Sequence, residues 1–351
     1  MKNIYVRFQA YSVQMLLLAL ILHPSLTFSQ TILPENETAT KKPPLVLKNL
    51  NNIECPDATA TTKSYQKKFT QPIQKWAKEN LSSLQTKKVT YLFSGADVAT
   101  VFSLFSEANH YTLIADQIPE FSSLNQVSTR RAAQECQTHT YFSKYGYYRT
   151  NDLEGKNSIK PRFTQLLGYS IALIGAQILS KEYIYVTQDG TTQVRDSISN
   201  SNPDGLRIKI NTSDNRTVYI DYIRINLSNN GLEKSPQFIA LLKNQTSDTI
   251  FIKSASHLLQ KSYFSVLGDL ITSNTRNIVQ DETGLDITDL SKHFSINVYG
   301  KDFSPHPIWK NSPSALRLKK YLAEEKSFKE LPFTIGYEKK SGSILLIGQR
   351  K

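Results

Sequence analysis

Five short clusters in this 351-residue chain carry residue types that could do chemistry: Ser94-Gly95-Ala96-Asp97, Asp116-Gln117, Lys253-Ser254-Ala255-Ser256-His257, Gln280-Asp281-Glu282 and Tyr299-Gly300-Lys301-Asp302. Each follows an apolar run that reads as a strand, so each is a polar end on an apolar element. Short hydroxyls, a lysine and several carboxylates are the groups that would orient a polar small molecule. The ligand-binding candidates are therefore Ser94, Gly95, Asp97, Asp116, Lys253, Ser254, Ser256, Gln280, Asp281 and Tyr299.

Each cluster also has a plainer reading. Ser94 or Asp97 would cap the helix that follows, and Asp116 would be a solvated strand end. An acid ending the second strand is where nucleotide-binding sheets hold ribose hydroxyls, but here a single glycine replaces the G-x-G-x-x-G run. Ser254, beside Lys253 and His257, invites a nucleophile reading. No G-x-S-x-G elbow or S-x-x-K accompanies it, so helix capping is the simpler expectation. Asp281 and Glu282 with Asp286 and Asp289 match no calcium loop, and the six histidines include no H-E-x-x-H. No metal site is expected on that spacing, and no cofactor is assigned.

The elements that would position these groups start with Val89 to Asp116. An apolar run, a small-residue turn, a helix-spaced segment (Val98, Val101, Phe102, Phe105) and a second apolar run together read as the opening unit of an α/β sheet. A helix is predicted before it, over about Tyr65 to Leu84, and others over residues 122–142 and Lys160 to Leu179. Residues 182–228 alternate β-branched or aromatic runs with Asp-Gly and Asn-Pro-Asp-Gly turns, predicting an inserted antiparallel hairpin or meander. Ser235-Pro236 and Ser312-Pro313 pair a cap with proline at the first helical position. A helix is also expected over His257 to Ser273, with strands at Thr249 to Ile252, Asn277 to Gln280 and Ser295 to Tyr299. Phe333 to Tyr337 and Ser343 to Gly348 flank a turn and predict a closing antiparallel hairpin.

The N-terminus sets the expected compartment. Lys2 and Arg7 precede the apolar block Met15 to Leu22, then His23-Pro24 and Thr27-Phe28-Ser29. That order is a secretory signal peptide cut near Ser29, predicting a periplasmic or secreted protein. The apolar block is short for a membrane span, so no transmembrane segment is expected after cleavage. The formal net charge of +12 falls to +10 once Lys2 and Arg7 are removed. It is spread over lysine doublets rather than a block, which favours anionic partners such as envelope polymers without any recognisable nucleic-acid module. In an exported chain, Cys55 and Cys136 are a disulfide candidate. Such a bridge would restrict the unfolded state by about 4 kcal/mol, the alternative being two buried thiols.

Two resemblances rest on these motifs. Phe93-Ser94-Gly95-Ala96-Asp97, Thr150-Asn151-Asp152, Lys253-Ser254-Ala255-Ser256, Gln280-Asp281-Glu282-Thr283-Gly284 and Leu331-Pro332-Phe333-Thr334-Ile335-Gly336-Tyr337 together resemble an uncharacterised family of exported bacterial proteins. The likeness spans roughly residues 60–350; it implies export and one continuous domain and supplies no activity. Ala96 and Glu107-Ala108 stand where that pattern carries prolines. The glycine turn after strand one, the acid ending strand two and the C-terminal antiparallel hairpin also resemble class I methyltransferase-like Rossmann sheets, without their glycine-rich motif.

The expected architecture is an α/β, Rossmann-like three-layer sandwich: signal peptide 1–29, leader 30–63, and a single domain 64–351 with a hairpin inserted at about 182–228. The expected function is binding of a polar small molecule or an anionic envelope component at the strand carboxyl ends. The alternative is an exported transferase or hydrolase using Asp97, Asp116, Lys253, Ser254 and Asp281.

Overall fold

Eleven strands form one mixed sheet in the computed structural model, which describes residues 58–116, 163–195, 203–245, 249–300, 303, 305, 309–325, 327–335 and 343–351. The expected signal peptide, Cys55, Cys136 and the helix expected over 122–142 lie outside the described residues, as do Gln117, Thr150-Asn151-Asp152 and Lys301-Asp302. The strands are β1 (Lys88–Leu92), β2 (His110–Asp116), β3 (Gln177–Val186), β4 (Thr192–Arg195), β5 (Gly205–Asn211), β6 (Thr217–Ile225), β7 (Thr249–Lys253), β8 (Asn277–Gln280), β9 (Phe294–Tyr299), β10 (Phe328–Lys329) and β11 (Leu345–Arg350). Their order across the sheet is β10-β9-β11-β8-β7-β1-β2-β6-β5-β3-β4.

The centre is parallel: β6, β2, β1, β7 and β8 all run the same way. β11 lies antiparallel between β8 and β9. Buried on both faces, the central strands read as nearly unbroken apolar runs, such as Val89 to Leu92 and Ile250 to Ile252. The 182–228 region is antiparallel in the order β4-β3-β5-β6, with the β3–β4 hairpin at the sheet edge and β5 returning to the other side of β3 in place of a simple meander. Its last strand is also a parallel member of the central sheet through β2. The closing strand β11 finds its partners in β8 and β9. Ile335 is joined to the chain before β11 by Ser343, whose Oγ accepts from the Ile335 N–H at 2.8 Å and donates to its carbonyl at 2.9 Å.

Helices cover both faces. On one side lie α1 (Ala58–Tyr65), α2 (Gln71–Asn80), α3 (Val98–Leu104) and α4 (Phe163–Leu173), packed through Tyr65, Ile73, Trp76, Val101 and Ile171. On the other lie α5 (Asn229–Glu233), α6 (Pro236–Gln245), α7 (Ser265–Asn274), α8 (Ile287–His293) and α9 (Pro313–Glu324), packed through Leu232, Leu241, Leu267, Leu290 and Leu318. Each fully buried side chain of this kind stabilises the fold by roughly 1.5–3 kcal/mol. The result is an α/β sandwich of three layers. No helix among the described residues is long and apolar enough to cross a membrane.

Three local expectations change. The helical run before β1 begins at Ala58 and includes a single π turn at Gln66–Thr70. The helix expected to Leu179 stops at Leu173, because Gly175 takes φ +74° and the β-rich run from Gln177 pairs with β5. The helix expected from His257 is two short 3₁₀ turns, His257–Gln260 and Ser262–Phe264, before α7.

In the middle of β6, level with Thr112 of β2 and Thr90 of β1, Asp221 is 2 % exposed and fully engaged. Arg207 grips it with Nε to Oδ1 and Nη2 to Oδ2, both at 2.7 Å, and His110 Nε2 meets Oδ2 at 2.9 Å. Arg207 Nη2 also donates to Thr192 Oγ1 at 2.9 Å, tying β4 to this network. Burial alone would raise the Asp221 pKa, but the hydrogen bonds from Arg207 and His110 outweigh it and hold the carboxyl below its ordinary value.

Candidate functional site

Chain order reverses between β1 and β7. The chain leaves β1 toward β2 and β6, then crosses back to β7 and β8. In open α/β sheets, the carboxyl ends of strands at such a switch point form the ligand crevice. Here those ends are Phe93 to Asp97 on one wall and Lys253 to His257 on the other, with Asp281 to Thr283 following β8.

Asp97 is 1 % exposed and caps α3: its Oδ1 accepts from the Thr100 N–H at 3.1 Å. Its other oxygen accepts from the Tyr91 hydroxyl at 3.2 Å. No cation pairs with it among the described residues, so burial raises its pKa from 3.8 to about 6, with the Thr100 and Tyr91 hydrogen bonds pulling only partly back. Tyr91 is itself pushed well above its ordinary value, first by burial and then by the charges of Asp97 and Asp281. Tyr91 is therefore tied to Asp97 by a hydrogen bond and to Asp281 only through the field of its charge.

Ser254 does not cap a helix, contrary to expectation. Its Oγ donates to Asp281 Oδ2 at 2.8 Å, and the Ala255 N–H donates to the same oxygen at 2.8 Å. Asp281 Oδ1 accepts from the Thr283 N–H at 2.8 Å and from its hydroxyl at 2.6 Å. Four donors on one carboxylate make Asp281 an anchor between the loops after β7 and β8, with both oxygens taken up by structural bonds. A serine nucleophile activated by Asp281 is therefore poorly supported.

Lys253 is 1 % exposed. Its Nζ donates to the Ser254 carbonyl at 3.2 Å, the Ser256 carbonyl at 2.5 Å and Thr283 Oγ1 at 3.2 Å, and it lies 5.3 Å from the centre of the Phe93 ring. Burial lowers its pKa to about 8, while Asp281 and Glu282 push it back up. The Ser256 N–H donates to Thr283 Oγ1 at 3.0 Å. His257, lowered first by burial, extends the cluster outward by stacking on Trp309 with ring centroids 4.7 Å apart.

Lys253, Ser254 and Asp281 thus meet in one buried network, joined by the backbone of Ser256, while Asp97 stands beside it, bonded to Tyr91 and the Thr100 N–H. The other candidates do not join it. Asp116 Oδ1 accepts from the Leu227 N–H at 2.9 Å, tying β2 to the chain after β6; burial raises its pKa. Ser94 turns its hydroxyl to the Gly95 carbonyl at 3.1 Å, and Gly95, at φ +54°, lets the chain bend into the cap. Gln280 is taken up by Leu285, donating to its carbonyl at 2.9 Å and accepting from its N–H at 3.0 Å. Tyr299 packs edge-on against Trp76 at 4.9 Å, in the core under α2.

Tyr91, Phe93 and Thr283 were not singled out in the sequence. Asp281-Glu282-Thr283 carries a readable signal, since an aspartate commonly bonds the N–H and hydroxyl two residues on. Tyr91 carries none, because a tyrosine inside an apolar strand reads as core. No group of residues suited to a metal ion occurs among the described residues. Compared with protein-family models, curated proteins and solved structures, the chain matches none.

Proposed function

We propose that this chain is an exported Rossmann-like protein that binds a small polar ligand at the switch point between β1 and β7. The observation that carries this reading is backbone strain at the ends of both strands of the switch point. Phe93 and Ala255, neither of them glycine, each take φ +54° at the ends of adjacent central strands. Each left-handed residue costs roughly 1–2 kcal/mol, and such strain concentrates where a site needs an unusual backbone path. The strand series β6-β2-β1-β7-β8-β11-β9, with β11 reversed, supports the resemblance to methyltransferase-like sheets. In that arrangement the ligand crevice lies at these same strand ends.

Charge narrows the ligand class. Asp281 and Glu282 are buried beside one buried lysine, and Asp97 is buried at the neighbouring strand end, an excess of acids that opposes an anionic polymer there and favours a neutral or cationic polar molecule. The transferase or hydrolase alternative draws on Asp97 at about 6 and Lys253 at about 8, two groups able to exchange protons near neutral pH. Asp116 stands apart from them in its bond to Leu227, which weakens that reading.

The test is native mass spectrometry of the protein purified from an exporting host, followed by thermal-shift measurements with S-adenosylmethionine, NAD and neutral or amino sugars. A retained or stabilising small molecule whose effect is lost in Asp97→Asn and Ser254→Ala supports the assignment. A ligand-free mass together with no shift from any of these compounds would sink it.

A further inference from the structure

The opposite end of the sheet carries a second, differently built surface. Lys88, His110, Tyr219, Lys209 and Ser180 are register partners in one row across β1, β2, β6, β5 and β3, so their side chains share a face. That row is open to solvent: Lys88 is exposed, Tyr219 is 38 % exposed, and His110 and Lys209 are half-buried. The His110 and Tyr219 rings lie side by side with centroids 6.4 Å apart. Lys88 and Lys209 make no side-chain hydrogen bond or ion pair among the described residues. Asp221, two residues along β6 from Tyr219, is already paired with Arg207 and hydrogen-bonded to His110. Glu182 faces Arg207 across β3 and β5.

Three strand spacings separate Lys88 from Lys209, about 14 Å. Two unpaired cations that far apart, with a ring platform between them, match a linear chain whose anionic groups are separated by neutral rings. They match nucleic acid poorly, where each strand carries a phosphate every ~3.4 Å of axis and binding draws on many cations and successive stacking aromatics. We propose that this face binds an acidic polysaccharide, its sugar rings on Tyr219 and His110 and its carboxylates at Lys88 and Lys209. The surface is independent of the switch-point crevice and lies at the other end of the strands.

The probe is a hyaluronate oligosaccharide, which has a carboxylate on alternate sugars. Binding is followed calorimetrically at about 0.01 M salt, where screening is weak. The full chain is expected to bind it. Tyr219→Ala should weaken binding about tenfold. Lys88→Ser with Lys209→Ser should weaken it about tenfold and flatten its salt dependence. Lys319→Ser with Lys320→Ser, which removes equal charge from the exposed side of α9, should leave it within about twofold. Should Tyr219→Ala lower the melting temperature, Lys88→Glu, a change at an exposed position, carries the same test. Equal weakening by the Lys319 and Lys320 pair would overturn the assignment. So would tighter binding of single-stranded DNA with the same sensitivities, or binding of neither probe. Asp97→Asn should leave this binding unchanged, so failure here and failure at the crevice are separable.

Discussion

Two buried aspartates, Asp221 in the middle of β6 and Asp97 beyond the carboxyl end of β1, live under opposite electrostatics. Asp221 and Asp97 are 2 % and 1 % exposed, so desolvation opposes the charged form of both. Asp221 has a bidentate arginine and a histidine, and its pKa falls below the ordinary value. Asp97 has the Tyr91 hydroxyl and the Thr100 N–H and side chain, no cation among the described residues, and rises to about 6. For Asp97 these neutral donors soften the cost of burial without outweighing it, whereas the Arg207 guanidinium and His110 outweigh it for Asp221. The Asp221 network therefore explains itself as stability. The carboxyl-end aspartate opposes folding at neutral pH, the cost that the proposed ligand site would carry at its strained switch point.

The contrast breaks most visibly at Asp221. Asp221→Ala leaves Arg207 half-buried without its carboxylate and should cost about 3–5 kcal/mol by urea denaturation at pH 8. A loss below ~1 kcal/mol would show that the pair contributes little. The pKa is depressed, so its contribution is present above the unfolded value of 3.8 and is lost as pH falls through the lower folded value.

Asp97→Asn should act in the other direction. Asparagine caps a helix as well as aspartate does, so the Thr100 bond survives while the buried charge disappears. With the carboxyl raised from 3.8 to about 6, the gain at pH 8 is at most ~3 kcal/mol. Below pH 4 wild type is already protonated and the gain should vanish. An unchanged difference across that range would remove the electrostatic explanation.

Smaller effects sharpen the boundary of the site. Ser254→Ala removes one of four donors to Asp281 and should cost about 1 kcal/mol in thermal or chemical unfolding. A much larger loss would mean that Ser254 also fixes Tyr91. Asp116→Asn keeps an oxygen for the Leu227 N–H and should change stability by less than ~1 kcal/mol, with no effect on ligand retention. Loss of ligand in that variant would return Asp116 to the site.

Much of the architecture was legible because strand ends carry local signals. Ser312-Pro313 caps α9 as read, with the Ala315 N–H donating to Ser312 Oγ at 3.2 Å. The central strands read as apolar runs bounded by turns. What local pattern could not supply was partnership across the sheet. Ser254 looked like a helix cap because its neighbours in sequence permit one, but Asp281, brought beside it by the β7–β8 pairing, offers a charged acceptor and wins. Gln280 and Tyr299 looked like site residues by position alone, and their side chains turn to Leu285 and Trp76. The pairing of Asp221 with Arg207 and His110 joins three strands and leaves no trace in any one of them.

The central claim is that the two aspartates act on folding with opposite signs. Urea denaturation of wild type, Asp97→Asn and Asp221→Asn at pH 8 and at pH 4 tests it in one experiment. The expected result at pH 8 is a more stable Asp97→Asn and a less stable Asp221→Asn, with the Asp97→Asn difference closing by pH 4. If both variants are destabilised at pH 8, Asp97 is a compensated structural group, and the case for a functional crevice at the switch point loses its electrostatic support.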